Sequence, residues 1–369
     1  MKRVYWRPQR VSPGVLVGLV LLALAATWAV ERWPRTAPPE LQARLRDAVE
    51  RAALGQAALA EEAAARGIAG AEPTALMGEV HTEVTSVSGS LAAKRRSLDP
   101  RWAAVIAAQL WRAGVRPGDR VAVSCSGSFP ALNLATWAAL DALEAQPLVI
   151  SSAAASQWGA NRPTWLWIDM ERALHTRGRI SGRSLGASLG GPEDHAAGLS
   201  PAGRAALEAA IARNDLEDLT RATLADAAAA RLQRYEEARG GAPLAAYVNV
   251  GGAAASVGGA EGLGEFAPGL TLPADAPQLG LREGSVASAL LRAGVPLVNL
   301  RQLEVLAREH GLPPDPAIPA PRVIDLATLA RSRALVALAL LGLALLAAFH
   351  TSRGRAALGS ELTGVTPCA

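Results

Sequence analysis

The residues of this chain best suited to chemistry stand around one short turn. Ser126-Gly127-Ser128 follows an apolar stretch and precedes Pro130, with Asn133 about one helical turn further on. Two hydroxyls and the backbone N–H groups of a strand-to-helix turn, at the positive end of a helix dipole, form a cradle for an anion such as a carboxylate or phosphate. Ser151-Ser152, followed by Gln157 and Asn161, is a second polar set, and Asn249, Gly251 and Gly252 are a third. Open α/β sheets hold ligands outside the carboxyl ends of their strands, so the three sets are expected to edge one crevice. Each set has an equally simple reading as caps and tight turns.

Other reactive groups lead less far. A nucleophile elbow needs G-x-S-x-G, and the turn here reads S-C-S-G-S. His81, His175 and His195 have no spacing to these serines that names a general base, so no catalytic residue is assigned. Cys125 falls inside a strand, where a thiol is most often a small buried apolar group. Glu193-Asp194-His195 are adjacent on a loop and cannot all face one ion, so no metal site is expected and no cofactor is named.

The elements that must position these residues are legible from periodicity. The run 120–125 is almost continuously apolar, as a parallel strand covered on both faces should be. A helix is expected over 130–144, with Pro130 in its first turn and Ser128 near its cap, then a strand over 147–151; this is one right-handed βαβ unit. A second unit follows, with strand 245–250, helix 285–293, strand 296–300 and helix 303–310. Apolar residues place another helix over 100–114, and Ser200-Pro201 starts an Ala-rich helical stretch broken near Asn214-Asp215. The Gly- and Pro-rich stretch 262–284 reads either as a lid or as a passive surface excursion. The fold class is therefore α/β, a mostly parallel sheet with Rossmann-like βαβ units.

Two apolar runs, 15–30 and 334–349, are membrane length or nearly so and are flanked by arginines. Read as anchors, they add an N-terminal and a C-terminal transmembrane helix to the α/β domain; a signal peptide is the rival for the first and a buried core helix for the second. Four basic residues precede the first run, which sets the N-terminus in the cytoplasm. The expected order is a cytoplasmic N-terminus at 1–12, a span at 13–33 and a juxtamembrane amphipathic helix within 34–70. An extracytoplasmic α/β domain at 71–310, a Pro-rich linker at 311–332, a span at 333–350 and a cytoplasmic tail at 351–369 follow. The helix shows Leu41, Leu45, Val49 and Ala53 at four-residue spacing, for packing against the domain or for a coiled coil.

The formal charge of +4 and pI of about 9.6 come without a basic run interleaved with aromatics, the one short cluster being Lys94-Arg95-Arg96, so no nucleic-acid partner is expected. Lysine is nearly absent beside abundant arginine and alanine, which is read as a GC-rich coding bias without functional content. Two cysteines, Cys125 and Cys368, would lie on opposite sides of the membrane, so no intramolecular disulfide is expected.

Four segments in order, Gly89-Ser90-Leu91-Ala92-Ala93-Lys94-Arg95, Ser126-Gly127-Ser128-Phe129-Pro130-Ala131-Leu132-Asn133, Ser156-Gln157-Trp158-Gly159-Ala160-Asn161 and Ser188-Leu189-Gly190-Gly191, carry a resemblance. Together with the two apolar runs they resemble the poly-gamma-glutamate system protein family. The resemblance implies an accessory membrane protein of bacterial poly-γ-glutamate capsule or polymer production, beside other synthesis proteins, and brings no catalytic mechanism. An anionic γ-glutamyl chain is then the expected guest of the crevice. The alternatives are a membrane-anchored hydrolase or transferase acting on the polymer, and a purely structural subunit of the synthase complex.

Overall fold

The computed structural model describes residues 37–68, 75–279, 281 and 283–312, together with isolated positions between 13 and 24 and residue 342. The fold belongs to the unit Ala37–Leu326; the unit formed by Met1–Thr36 and Ala327–Ala369 lies almost wholly outside the described residues, as do both expected membrane spans. Among the described residues no helix is long and apolar enough to cross a membrane.

Six strands run parallel: β1 (Arg120–Ser126), β2 (Gln146–Ser152), β5 (Gly186–Ser188), β6 (Glu217–Asp218), β7 (Leu244–Val250) and β9 (Leu297–Leu300). A seventh, β8 (Gly269–Thr271), pairs antiparallel with β9 at one edge, and the sheet order is β6-β5-β2-β1-β7-β9-β8. A separate two-residue ladder joins β3 (Asn161–Arg162) to β4 (Trp165–Leu166). The chain thus has the expected α/β class with a mostly parallel sheet. From β1 it steps outward through β2 and β5 to β6, then returns to the other side of β1 to lay down β7. Connections that depart in opposite directions leave a gap above the carboxyl ends of β1 and β7, the topological switch point.

Both faces of the sheet are covered. On one face lie α1 (Pro39–Ala65), α3 (Trp102–Ala113) and α4 (Pro130–Ala142), in mutual contact. α1 buries a stripe of leucines and small residues, Leu41, Leu45, Ala48, Ala52, Gly55, Ala58 and Leu59 among them. At Gly55 an added Cβ would stand 2.7 Å from Leu134 of α4, which shows how closely the two helices approach. The amphipathic face of α1 is therefore spent on its own domain and is not left for a coiled coil. α3 is buried almost all round, from Trp102 to Leu110, and ends on Gly114 at φ +103°, the left-handed C-cap that its glycine permits.

The opposite face carries α7 (Leu224–Arg239), the one-turn α8 (Ala254–Val257) and α9 (Gly259–Gly262), and α10 (Val286–Arg292). Their apolar sides meet Ala122, Leu148, Ile150 and Tyr247 of the sheet. Tyr235 of α7 and Tyr247 of β7 meet edge-to-face with centroids 6.3 Å apart, and both hydroxyls find partners: Tyr235 donates to the Val123 carbonyl at 2.7 Å and Tyr247 to Ser124 Oγ at 2.9 Å. The shorter helices are α2 (Leu91–Ser97), α5 (Trp167–Thr176), α6 (Pro201–Arg213) and α11 (Leu303–Glu309). α6 starts where expected, Ser200 Oγ accepting from Gly203 N at 3.1 Å.

Two expectations need correction. The N-cap of α4 is Phe129, with no side-chain cap bond, and Ser128 Oγ accepts instead from Ser156 N at 3.0 Å. The stretch 262–284, read as a lid or a passive excursion, builds the antiparallel edge strand β8 and a 3₁₀ turn at Pro273–Gln278.

Candidate functional site

Above the switch point lies a crevice of about 820 Å³. The carboxyl ends of β1 and β2, the turn after β7, the loop after β5 and the start of α11 form its walls, and the segment 86–94 that enters α2 closes one side. Five of the sequence-predicted residues line it: Ser126, Ser128, Ser152, Gly251 and Gly252. Ser126 and Ser152 are partners in the β1–β2 register, so the parallel ladder itself sets their two side chains abreast. Gly251 holds φ +80° and its position would bring a Cβ within 3.3 Å of Ser126 Cβ, so the turn after β7 requires glycine on both counts.

The other six predicted residues build the walls without facing the crevice. Gly127 lets two turns cross: a Cβ there would stand 2.7 Å from the Ala154 carbonyl. Asn133 is fully buried and donates from Nδ2 to the Ser126 carbonyl at 2.9 Å, closing the turn from below. Ser151 faces the opposite side and shares a 2.8 Å hydrogen bond with Ser184. Gln157 Oε1 accepts from Gly89 N at 3.2 Å. Asn161 pairs with the backbone of Glu79, accepting at 2.8 Å and donating at 2.8 Å, in the manner of a strand neighbour. Asn249 donates to Asn299 Oδ1 at 2.8 Å and to the Gly251 carbonyl at 2.9 Å, fixing the turn from within.

Four residues that sequence reasoning did not single out matter here. Lys94, on α2, reaches into the crevice wall and is 2% exposed. Its ammonium donates to the Ser128 carbonyl and, at 2.8 Å, to Ser156 Oγ, and lies 3.7 Å from the centroid of the Phe129 ring. Burial lowers its pKa from the ordinary 10.5 to about 7, since an ammonium stripped of water is costly when no carboxylate offsets it. Arg301, at the end of β9, lines the crevice from the far side and donates to the Leu263 carbonyl; burial lowers its pKa, yet guanidinium remains cationic across the neutral range. Ser156 is nearly buried beside Lys94. Arg231, wholly buried on α7, makes an ion pair with the equally buried Asp194 at 3.0 Å and donates to Ser188 Oγ at 2.7 Å and Ser152 Oγ at 3.2 Å.

The Glu193-Asp194-His195 triplet is split by the fold. Glu193 is exposed at the crevice wall, Asp194 turns inward to Arg231, and His195 Nδ1 lies 3.1 Å from the Glu193 carbonyl. Among the described residues no group of three or more His, Cys, Asp or Glu side chains converges as a metal set. Cys125 is fully buried and its thiol pKa is raised by burial and by Glu171, so it stays protonated and unreactive.

Comparison with family models, curated proteins and solved structures returns no significant match. The chemistry of the site is accordingly read from its own geometry. It offers one permanent cation, one titratable amine, a row of serine hydroxyls and two carboxylates, Glu193 and Glu304, around a space large enough for a small organic ligand or the end of a polymer.

Proposed function

We propose that this chain is an accessory membrane protein of poly-γ-glutamate biosynthesis or export, whose α/β domain holds the end of an anionic γ-glutamyl chain in the switch-point crevice. The observation that carries the reading is that Arg301, Glu193 and Glu304 line one space edged by serines at the sheet's carboxyl ends. A γ-linked chain exposes one α-carboxylate per residue, and its first residue adds an ammonium on the same carbon. A guanidinium suits the carboxylate and the two glutamates suit the ammonium, while the hydroxyls of Ser126, Ser128 and Ser152 suit amide groups. The resemblance of four segments to the poly-gamma-glutamate system protein family supports the same assignment, and the apolar runs 15–30 and 334–349 with their flanking charges support a two-pass protein with its central domain outside the cytoplasm.

Calorimetric titration of the detergent-solubilised full chain with γ-glutamyl oligomers of three to five residues tests the reading. Arg301→Gln should weaken binding at least tenfold, about 1.4 kcal/mol. An unchanged affinity, or no binding by the wild-type chain, ends it.

A further inference from the structure

We propose that Ser156 and Lys94 form a serine–lysine pair for acyl transfer, acting on an ester or amide carbonyl bound in the crevice. The proposal rests on the crevice being a ligand site and does not require that ligand to be γ-glutamyl.

The geometry comes first. Lys94 Nζ stands 2.8 Å from Ser156 Oγ, within the reach that links a nucleophile to its base, and both residues line the crevice. Ser156 is fixed by its own backbone: its N–H donates to Ser128 Oγ at 3.0 Å and its carbonyl accepts from Gly159 N at 3.0 Å. Gly89 faces its hydroxyl, and a Cβ at that position would come within 3.2 Å of Ser156 Oγ, so glycine there keeps the approach to the oxygen open. The missing histidine, which left the serines of this chain without a base in sequence, is thereby replaced by an amine.

The environment of that amine is the second observation. An ordinary lysine is protonated at neutral pH and accepts nothing; this one, buried and titrating near 7, is free amine about half the time. One of its N–H groups stays on the Ser128 carbonyl, which leaves the lone pair for the Ser156 hydroxyl. Once it has taken a proton, the face of Phe129 at 3.7 Å stabilises the ammonium.

Composition supplies the third. The chain has 37 lysines and arginines, of which only Lys2 and Lys94 are lysine. A chain that writes nearly every cation as arginine keeps lysine at a buried position in its crevice, and deprotonation is the one thing a guanidinium cannot do there.

The step balances as follows. Lys94 Nζ removes the hydroxyl proton while Ser156 Oγ attacks the carbonyl carbon, forming a C–O bond. The tetrahedral adduct collapses, the bond to the leaving amine or alkoxide breaks, and Lys94 returns the proton to it. Water then attacks the seryl ester with Lys94 as base, the C–O bond to Ser156 breaks, and the proton passes back to Oγ, releasing a carboxylic acid. An amine in place of water would give transfer.

The test uses the full chain and p-nitrophenyl acetate, which needs no knowledge of the natural acyl donor. The expected result is a burst of p-nitrophenolate with an acetyl group located on Ser156 by peptide mass spectrometry, and a rate that rises with pH through a midpoint near 7. Ser156→Ala and Lys94→Met should each lower the burst at least about 100-fold. Lys94→Arg, which keeps the charge and the hydrogen bonds, should be as inactive as Lys94→Met; activity restored by arginine would mean a structural lysine and overturn the proposal. Circular dichroism identifies any variant that fails to fold, in which case the wild-type adduct and its pH profile decide alone. A folded wild-type chain that forms no adduct, or an acetyl group on Lys94, Ser126 or Ser128 instead, overturns it as well. Binding of γ-glutamyl oligomers without acylation would remove this inference and leave the proposed function standing.

Discussion

Replacing Lys94 by methionine should make the stability of this domain less sensitive to pH, and in a stated direction. The folded chain binds the Lys94 proton near pH 7 and the unfolded chain near 10.5. Below pH 7 both states are protonated and the fold bears the full cost of a buried ammonium. Between 7 and 10.5 only the unfolded state holds the proton, so stability climbs as pH rises, and above 10.5 the cost is gone. The interval corresponds to about 5 kcal/mol at 1.36 kcal/mol per pH unit. Of this, about 4 kcal/mol falls between pH 6 and pH 10, because the last part of the interval lies above pH 10. Methionine fills a similar volume without the charge, and the Ser128 carbonyl and Ser156 hydroxyl that lose their partner cost about 1–3 kcal/mol at every pH. The informative quantity is therefore the change with pH. Urea unfolding of both chains, followed by tryptophan fluorescence at pH 6 and pH 10, should show the wild type gaining about 4 kcal/mol relative to the variant. A difference that stays constant between those pH values would refute the buried amine without a carboxylate partner on which the acyl-transfer proposal depends.

Asp194→Ala strands a fully buried guanidinium and should cost about 3–5 kcal/mol in the same assay, while Asp194→Leu combined with Arg231→Met should recover most of it; a single-variant loss under about 1 kcal/mol would show that the pair does not hold the crevice wall. His310, whose pKa is lowered to about 4 by burial and by Arg112, is neutral in the fold and charges in the unfolded chain, so the wild type should lose about 3 kcal/mol as pH falls from 6.5 to 4. His310→Gln should flatten that limb, and superimposable acid curves for the two chains would exclude the buried neutral imidazole.

The sheet was readable because its strands announce themselves locally. The run 121–125 is buried on both faces and apolar but for Ser124, and the Ser-Gly-Ser turn and Pro130 mark where strand gives way to helix. β5 and β6 carry no such mark: Gly186-Ala187-Ser188 is three small residues, and Glu217-Asp218 is an exposed edge of two. Register explains why Ser126, Ser152 and Gly251 could be foreseen at one crevice, since the first two end parallel strands and the third directly follows one. The charges of the site were hidden for a different reason. Lys94 and Arg301 reach the crevice from elements about 200 residues apart in sequence, and neither sits in a periodic pattern; only the rarity of lysine singles out Lys94, and that rarity had a compositional explanation at hand. Asn133, Asn161 and Asn249 show the converse, polar residues that resemble ligand groups in sequence but satisfy backbone groups around the turns.

The loop after β5 shows where this domain concentrates its strain. Glu193, Asp194 and Ala196 adopt φ of +56°, +60° and +58°, a region that costs a residue with a Cβ about 1–2 kcal/mol, beside Gly190 and Gly191 at +75° and +74°. Such a run does not persist on local preference, so something must over-determine it. Asp194 supplies the answer by entering the interior, where Arg231, Ser188 and Ser152 hold its carboxylate and Ser152 in turn ends β2 at the crevice. With Asp194 drawn inward, the left-handed backbone leaves Glu193 exposed at the crevice wall. The buried ion pair thus contributes less as attraction between two desolvated charges than as a peg that holds a strained wall in one shape. That places its value in the site: the buried pair fixes the backbone from which Glu193 stands at the crevice wall.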